Sequence, residues 1–110
     1  MVRYGRWIVP LALIFSVALA YAESDSKLKK IAIKNLKYDP PRLTVKTGET
    51  VVWTNTDDND HTVISDDEGQ FESGNLGRDE TFKHTFEKAG KFGYHCKYHP
   101  RMKGVVVVSD

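Results

Sequence analysis

The sequence predicts an all-β fold, a β-sandwich of seven to eight strands with Greek-key connections. Apolar and polar residues alternate in several short segments, as in Ile31–Lys34 and Phe82–Phe86. Glycine, proline, aspartate and asparagine separate these segments every few residues, which is typical of sandwiches. No segment keeps an apolar period of about 3.6 residues, so no amphipathic helix is expected. The 110 residues are enough for one domain.

Residues 1–22 have the three parts of a secretory signal peptide. Two arginines precede the apolar stretch Ile8–Ala20, and a small-x-small cleavage site ends at Ala22. The apolar stretch is shorter than the ~20 residues that a membrane span requires. We therefore expect cleavage after Ala22, no stable membrane insertion, and an exported domain over residues 23–110. The expected compartment is the periplasm.

The first half of the exported domain is predicted to contain three strands. Residues 23–30 are polar and are expected to form a frayed end. Ile31–Lys34 alternates as a strand does, and Asp39–Pro41 interrupts the pattern. Leu43–Val45 and Thr50–Asn55 are β-rich, and the second of them carries the only tryptophan of the exported domain.

The second half is predicted to contain four more strands. The first is His61–Ser65, and it is followed by the long loop 66–78, which is rich in glycine, aspartate and serine. Glu80–Phe86 alternates strictly, and Lys91–Cys96 follows a glycine-containing turn. The run Gly104–Ser109, which holds four consecutive valines, is predicted to be the last strand.

The only cysteine of the chain, Cys96, ends a predicted strand, and His99 and Met102 follow it at intervals of three residues. A thiolate, two imidazoles and a weak axial thioether form the type 1, or blue, copper site of electron-transfer proteins. A lone cysteine in an exported domain cannot form an internal disulfide, so its presence suggests metal binding, a reactive thiol or an intermolecular bond. We predict that Cys96, His99 and Met102 are copper ligands.

The second imidazole is expected to come from His61. This residue opens a predicted strand directly after a polar loop. The rival His84 alternates with two phenylalanines, which is typical of a core or cavity histidine. The other rival, His95, adjoins Cys96 and therefore points to the opposite side of its strand.

At these residues the chain resembles the cupredoxins, in particular the plastocyanin and amicyanin group of small blue copper proteins. The similarity extends over most of the segment from Ile31 to Asp110. The most specific part is the short ligand loop, which resembles that of amicyanin. The matching motifs are Val45-x-x-Gly48-x-x-Val51-x-Trp53, Gly90-x-Phe92-x-Tyr94-x-Cys96, Cys96-x-x-His99-x-x-Met102 and Gly104-Val105-Val106-Val107-Val108.

The resemblance implies a Greek-key sandwich that holds one copper ion at one end and shuttles single electrons. It also implies that His99 is the partly exposed exit for the electron. One departure is Thr62, because the family often has asparagine directly after the remote histidine, where its side chain ties the two ligand loops together. We expect that the Thr62 backbone amide still donates to the Cys96 sulfur, but that the bracing between the loops is weaker.

A second departure is the rim around His99, which carries Lys97, Arg101 and Lys103 where relatives tend to be apolar. We expect the protein to be a monomer to which acidic redox partners dock transiently near His99. Acidic residues near His61 have the opposite charge to this basic rim. The alternative interpretation is that the basic and the acidic residues are both ordinary solvated surface. The acidic residues are Asp57, Asp58, Asp60, Asp66, Asp67 and Glu68. Without Arg3 and Arg6 of the signal peptide, 14 of the 16 basic residues remain against 15 acidic ones, and this formal charge of −1 gives no electrostatic basis for nucleic-acid binding.

Three other functions compete with electron transfer. A periplasmic protein for copper storage, delivery or resistance would use the same four residues, and the sequence alone does not separate it from a carrier. An enzyme with several copper centres is disfavoured, because the chain has only four histidines. A zinc site is disfavoured because methionine is a poor zinc ligand.

Overall fold

Eight strands run through the computed structural model, which describes residues 27–110. They are β1 (Leu28–Lys34), β2 (Lys37–Asp39), β3 (Arg42–Lys46), β4 (Thr50–Asn55), β5 (Ile64–Ser65), β6 (Thr81–Thr85), β7 (Gly90–His95) and β8 (Lys103–Ser109). None of the described residues is helical, so this part of the chain contains no helix that could cross a membrane. The predicted signal peptide lies outside the described residues.

The strands form two four-stranded sheets, in the orders β2-β1-β4-β6 and β3-β8-β7-β5. Two pairs are parallel, β1 with β4 and β3 with β8, and the others are antiparallel. The chain changes sheet at every connection from β2 to β7. These crossings place loops from both sheets at each end of the sandwich, and the predicted all-β sandwich is confirmed.

Strand β4 shows how the sequence builds the core. Its residues are alternately buried and half-buried, as the two-residue period of a strand requires. Trp53 is fully buried and stands edge-on to Tyr94, with ring centroids 5.4 Å apart. Phe71 and Phe82 lie against the same indole, at 6.1 and 5.6 Å. This aromatic cluster fixes the spacing of the two sheets below the end that carries the predicted ligands.

Two features of the first sheet differ from the prediction. Leu28–Lys30 were expected to be frayed, but they pair in parallel with β4, whose backbone supplies the hydrogen-bonding partner. The short strand β2 was not expected at all. It forms a hairpin with β1 through Asn35 and Leu36, whose φ angles are 54° and 60°. A type I′ hairpin turn has positive φ at both central residues, and leucine rarely supplies it.

The predicted strand His61–Ser65 is shorter in the structure. Only Ile64 and Ser65 belong to β5, which pairs with the end of β7. His61 instead forms an isolated bridge with Leu76 from the long loop. The two backbone hydrogen bonds of this bridge are 3.1 and 2.8 Å long, and they hold His61 although it lies outside a strand.

Candidate metal centre

The four predicted ligands come from two connections at one end of the sandwich. Cys96 directly follows β7, and Met102 directly precedes β8. The intervening loop is closed by two backbone hydrogen bonds, from Cys96 N–H to Met102 O (3.1 Å) and from Met102 N–H to His99 O (2.9 Å). His61 reaches the same place from the β4–β5 connection.

The structure brings the side chains of His61, Cys96 and His99 together. The Cys96 Sγ lies 3.9 Å from His61 Nδ1 and 3.7 Å from His99 Nδ1. All three candidate ligand atoms lie within 4.8 Å of one another. Metal bonds of about 2.3 Å to sulfur and about 2.0 Å to nitrogen, at an angle of about 120°, separate the two ligand atoms by about 3.7 Å. The cluster therefore has the dimensions of a site for a single ion.

Burial of the cluster is uneven. His61 and Cys96 are fully buried, and Met102 is only 4% exposed. His99 is half-buried. A single imidazole edge therefore connects an otherwise enclosed set of donors to the surface. The burial of Met102 fits a thioether turned inward from a loop, although both its neighbours in sequence are exposed cations.

The residue after His61 braces the cluster in two ways. The backbone N–H of Thr62 donates to the Cys96 sulfur at 3.4 Å, as expected from the sequence. Its side-chain Oγ1 accepts a hydrogen bond from the backbone N–H of Lys97 at 2.8 Å. The hydroxyl of Thr62 itself therefore ties the two ligand loops together, and whether this bracing is weaker than that of an asparagine stays a prediction.

Asp57 is a further residue of the site. From the sequence it was interpreted only as one of the solvated acidic residues near His61. Its Oδ2 lies 3.0 Å from His61 Nε2, and its side chain is 15% exposed. A carboxylate only accepts hydrogen bonds, so it favours the His61 tautomer with hydrogen on Nε2. The lone pair of Nδ1 then faces Cys96. The spacing of four residues between the acid and the histidine was the available signal.

The pKa of the Asp57 carboxyl reflects its surroundings. Partial burial alone would raise this pKa. The backbone N–H groups of Leu36 and Asn35 and the imidazole of His61 outweigh burial, and the pKa is lowered from its usual value. Asp57 therefore carries its negative charge at neutral pH, where it accepts all three hydrogen bonds.

The buried side chain of Asn55 shapes the loop that carries Asp57 and His61. Its Nδ2 donates to Asn59 O (2.8 Å) and Leu76 O (2.9 Å). Its Oδ1 accepts the Asp57 N–H at 2.9 Å. Because the amide is fully buried, these bonds fix the path of the loop and therefore the position of His61 relative to the core.

The two rival histidines lie away from the cluster. His84 is on β6, where its ring lies 4.8 Å from that of Phe71 and 4.7 Å from that of Phe86. The structure thus gives it the core-edge position that its alternation with phenylalanine indicated. His95 Nδ1 instead meets Asp66 Oδ1 at 2.7 Å on the outer side of β7.

The surface around His99 combines apolar and basic side chains. Leu36 and Tyr98 are the exposed large apolar residues of the described chain, at 48% and 47%. Both line one shallow cavity together with His99 and Arg101. Lys97 is exposed on the other side of Tyr98, with its Nζ 6.0 Å from the ring centroid.

Comparisons with known proteins agree with the fold and the cluster. The chain matches the family of cupredoxin-like domains over residues 7–108. Amicyanin from Paracoccus versutus is 34% identical over 96 residues, which cover 84% of this chain and 71% of that protein. Plastocyanin from Scenedesmus fuscus is 29% identical over 85 residues, which cover 66% of this chain and 87% of that protein.

Solved structures give the same result. A Cu(I) form of an amicyanin mutant has a TM-score of 0.71 and 31% identity, and the match covers 74% of this chain and 82% of that chain. A purple cupredoxin from Nitrosopumilus maritimus has a TM-score of 0.70 and 34% identity, with 74% and 99% covered. The sandwich and its thiolate–imidazole cluster define a metal-binding β-protein. More particularly, the chain belongs to the cupredoxin-like domain family.

Proposed function

We propose that this protein is an exported type 1 copper protein that carries single electrons between redox partners. The proposal rests on one observation, the buried cluster of a thiolate and two imidazoles within 4.8 Å. His61, Cys96 and His99 would hold the copper, with Met102 as the weak axial ligand. This donor set favours copper over zinc, because soft thiolate and thioether ligands suit copper. Bound copper would supply the one-electron couple between Cu(I) and Cu(II).

The protein's own contribution is to hold the ligands in place. His61 is fixed by its bridge to Leu76, and Cys96 by the end of β7 and the hydrogen bond from Thr62. Because these restraints do not depend on the ion, the ligands change little between oxidation states. The burial of Cys96 also shields the thiolate from oxidation and disulfide exchange.

We further propose that partners dock around His99. Its half-buried ring is the most exposed of the four proposed ligands, and the exposed Leu36 and Tyr98 line the same cavity. Lys97, Arg101 and Lys103 surround this apolar centre, and none of the ion pairs found within residues 27–110 involves them. An acidic partner suits such a rim. Electron-transfer contacts are typically below ~1,200 Å² and transient, which agrees with a monomer that exchanges partners quickly.

The periplasm remains the proposed compartment. The support is the signal-peptide pattern of residues 1–22. Mass spectrometry of the protein released from the periplasm tests this directly. We expect an N-terminus at Glu23, and a protein that keeps residues 1–22 in the membrane fraction would contradict the proposal.

The first experiment is to add one equivalent of Cu(II) to the purified protein and to Cys96→Ala, and to record the visible and electron paramagnetic resonance spectra. An intense thiolate-to-copper band with narrow hyperfine splitting, absent from the variant, is the expected result. A pale spectrum that does not depend on Cys96 would contradict the type 1 site.

The same preparation separates electron transfer from copper storage or delivery. A carrier retains its ion while it cycles, so we expect fast electron self-exchange and slow transfer of copper to a chelator. Slow self-exchange with rapid copper loss would favour copper handling. The half-buried His99 is the one ligand position through which such loss would begin.

A further inference from the structure

Asp57 joins two parts of the molecule that are distant in sequence. Its Oδ1 accepts the backbone N–H of Asn35 at 2.8 Å, and its Oδ2 accepts the backbone N–H of Leu36 at 2.9 Å. The same Oδ2 faces His61 Nε2 at 3.0 Å. One carboxylate thus accepts hydrogen bonds from the tip of the β1–β2 hairpin and from a member of the metal cluster.

The hairpin tip depends on this anchor. Asn35 and Leu36 both have positive φ, at 54° and 60°, which is costly for leucine. Asp57 is the acceptor for the backbone N–H groups of both residues. The carboxylate therefore holds a strained turn in one conformation.

The anchored tip also belongs to the surface around His99. Leu36 is half-exposed and lines the same cavity as Tyr98, His99 and Met102. A partner that covers His99 therefore also contacts the hairpin. The path from this contact to the cluster consists of Leu36 N–H, the Asp57 carboxylate and His61 Nε2.

We propose that Asp57 is a positioning residue that couples the hairpin tip to His61, so that contact with the hairpin and metal binding influence each other. The proposal rests on the proposed function for its copper ion and its docking face. Metal-binding histidines whose second nitrogen donates to a carboxylate typically lose 10–100-fold in metal affinity when that carboxylate is removed. Coupling between sites is reciprocal, so copper binding must also restrain the hairpin.

The test compares Asp57→Ala with Asp58→Ala. The two changes remove the same charge from neighbouring positions, but Asp58 is exposed and, within residues 27–110, pairs only with Arg78. In the metal-free protein, amide hydrogen exchange at Asn35 and Leu36 is measured by nuclear magnetic resonance. We expect exchange at least about tenfold faster in Asp57→Ala, from the loss of hydrogen bonds to a charged acceptor, and no change in Asp58→Ala. Equal exchange in the two variants would overturn the proposal.

Copper affinity provides the second readout. Competition with a Cu(I) chelator is expected to show a 10–100-fold loss for Asp57→Ala and less than threefold for Asp58→Ala. Asp57→Glu, which keeps a carboxylate, is expected to recover part of the loss. Equal losses in the two alanine variants would mean that charge alone acts, which would overturn the coupling.

A third measurement needs no variant and therefore remains valid if Asp57→Ala does not fold. Addition of Cu(I) to the wild-type protein is expected to slow amide exchange at Asn35 and Leu36. Unchanged exchange at both residues would overturn the proposal. Failure of the blue copper spectrum would instead reject the proposed function, while the metal-free exchange data would still decide whether Asp57 anchors the hairpin.

Discussion

The side-chain hydroxyl of Thr62 accepts a hydrogen bond from the backbone N–H of Lys97, at 2.8 Å. The two residues are neighbours in sequence of His61 and Cys96, so this bond fastens one ligand loop to the other. From the resemblance to the family, threonine in place of asparagine was expected to leave the loops less well tied. The structure shows that the hydroxyl of Thr62 reaches the backbone amide of the other ligand loop.

Replacing Thr62 by valine is expected to destabilise the metal-free protein by about 1 kcal/mol, because the Lys97 N–H loses its acceptor in a part-buried position. Valine has nearly the same shape, so packing is preserved. Thr62→Ser keeps the hydroxyl and serves as the control. Chemical denaturation gives the free energy of unfolding of each variant. If Thr62→Val is as stable as the wild type, the hydrogen bond contributes nothing.

Changing Met102 to leucine tests the proposed axial ligand. We expect that Met102→Leu still binds copper with its thiolate band, since the other three donors are unchanged. We also expect a higher reduction potential, because removal of a weak donor destabilises Cu(II) more than Cu(I). Cyclic voltammetry of both proteins measures the difference. An unchanged potential would show that the thioether does not approach the ion.

His84 makes the stability of the metal-free protein depend on pH. Partial burial between Phe71 and Phe86 lowers the pKa of its imidazole from the usual value of about 6.5. As the pH falls below about 6.5, His84 is protonated in the unfolded chain before it is protonated in the folded protein. The free energy of unfolding therefore falls as the pH decreases through the folded-state pKa. Above about pH 6.5 this contribution is fully present.

Replacement of His84 by phenylalanine removes this dependence. We expect the difference in unfolding free energy between wild type and His84→Phe to grow as the pH falls from about 7 to 5. Denaturant titrations at each pH measure it. His95→Gln, which removes an imidazole from the outer side of β7, is the control. Parallel pH profiles for wild type and His84→Phe would show that His84 is not responsible.

The sequence predicted the ligand loop and most strands, because short-range spacing determines both. It missed β2 because the turn at Asn35 and Leu36 has its hydrogen-bond acceptor in Asp57, which is 22 and 21 residues away. The shortening of the His61–Ser65 strand has a similar cause, since Leu76 replaces a neighbouring strand as the partner of His61. The contact of Asp57 with the hairpin was hidden for the same reason, whereas its spacing of four residues from His61 was visible in the sequence.

Gly104 is expected to tolerate no side chain. A Cβ at this position would overlap the ring and hydroxyl of Tyr94. Tyr94 is fully buried against Trp53 and Tyr38 and cannot move aside. Overpacking of this kind typically costs about 1–3 kcal/mol. Thermal unfolding of Gly104→Ala measures this loss, and Gly77→Ala is the control, since its Cβ would meet only the side-chain ends of Glu80 and Asp60. Equal melting temperatures for the two variants would contradict the overlap.

Charge reversal at Arg101 tests the docking face. Arg101 is exposed beside His99, in the cavity that Leu36 and Tyr98 also line. Oxidation of the reduced protein by hexacyanoferrate(III), an anion, is measured by stopped flow. We expect Arg101→Glu to slow this reaction by about tenfold or more at low ionic strength, because electrostatic steering changes association rates by 10–10³. A cationic oxidant is expected to react faster with the variant than with wild type.

The control for this prediction is Lys88→Glu. Lys88 is an exposed cation in the β6–β7 connection, at the opposite end of the sandwich from His99. This change alters the net charge by the same amount, so it isolates the effect of position. The difference between the two variants is expected to shrink as salt shortens the Debye length from about 30 Å at 0.01 M to about 3 Å at 1 M. Equal rates for both variants at every ionic strength would mean that electrons do not leave through the face around His99.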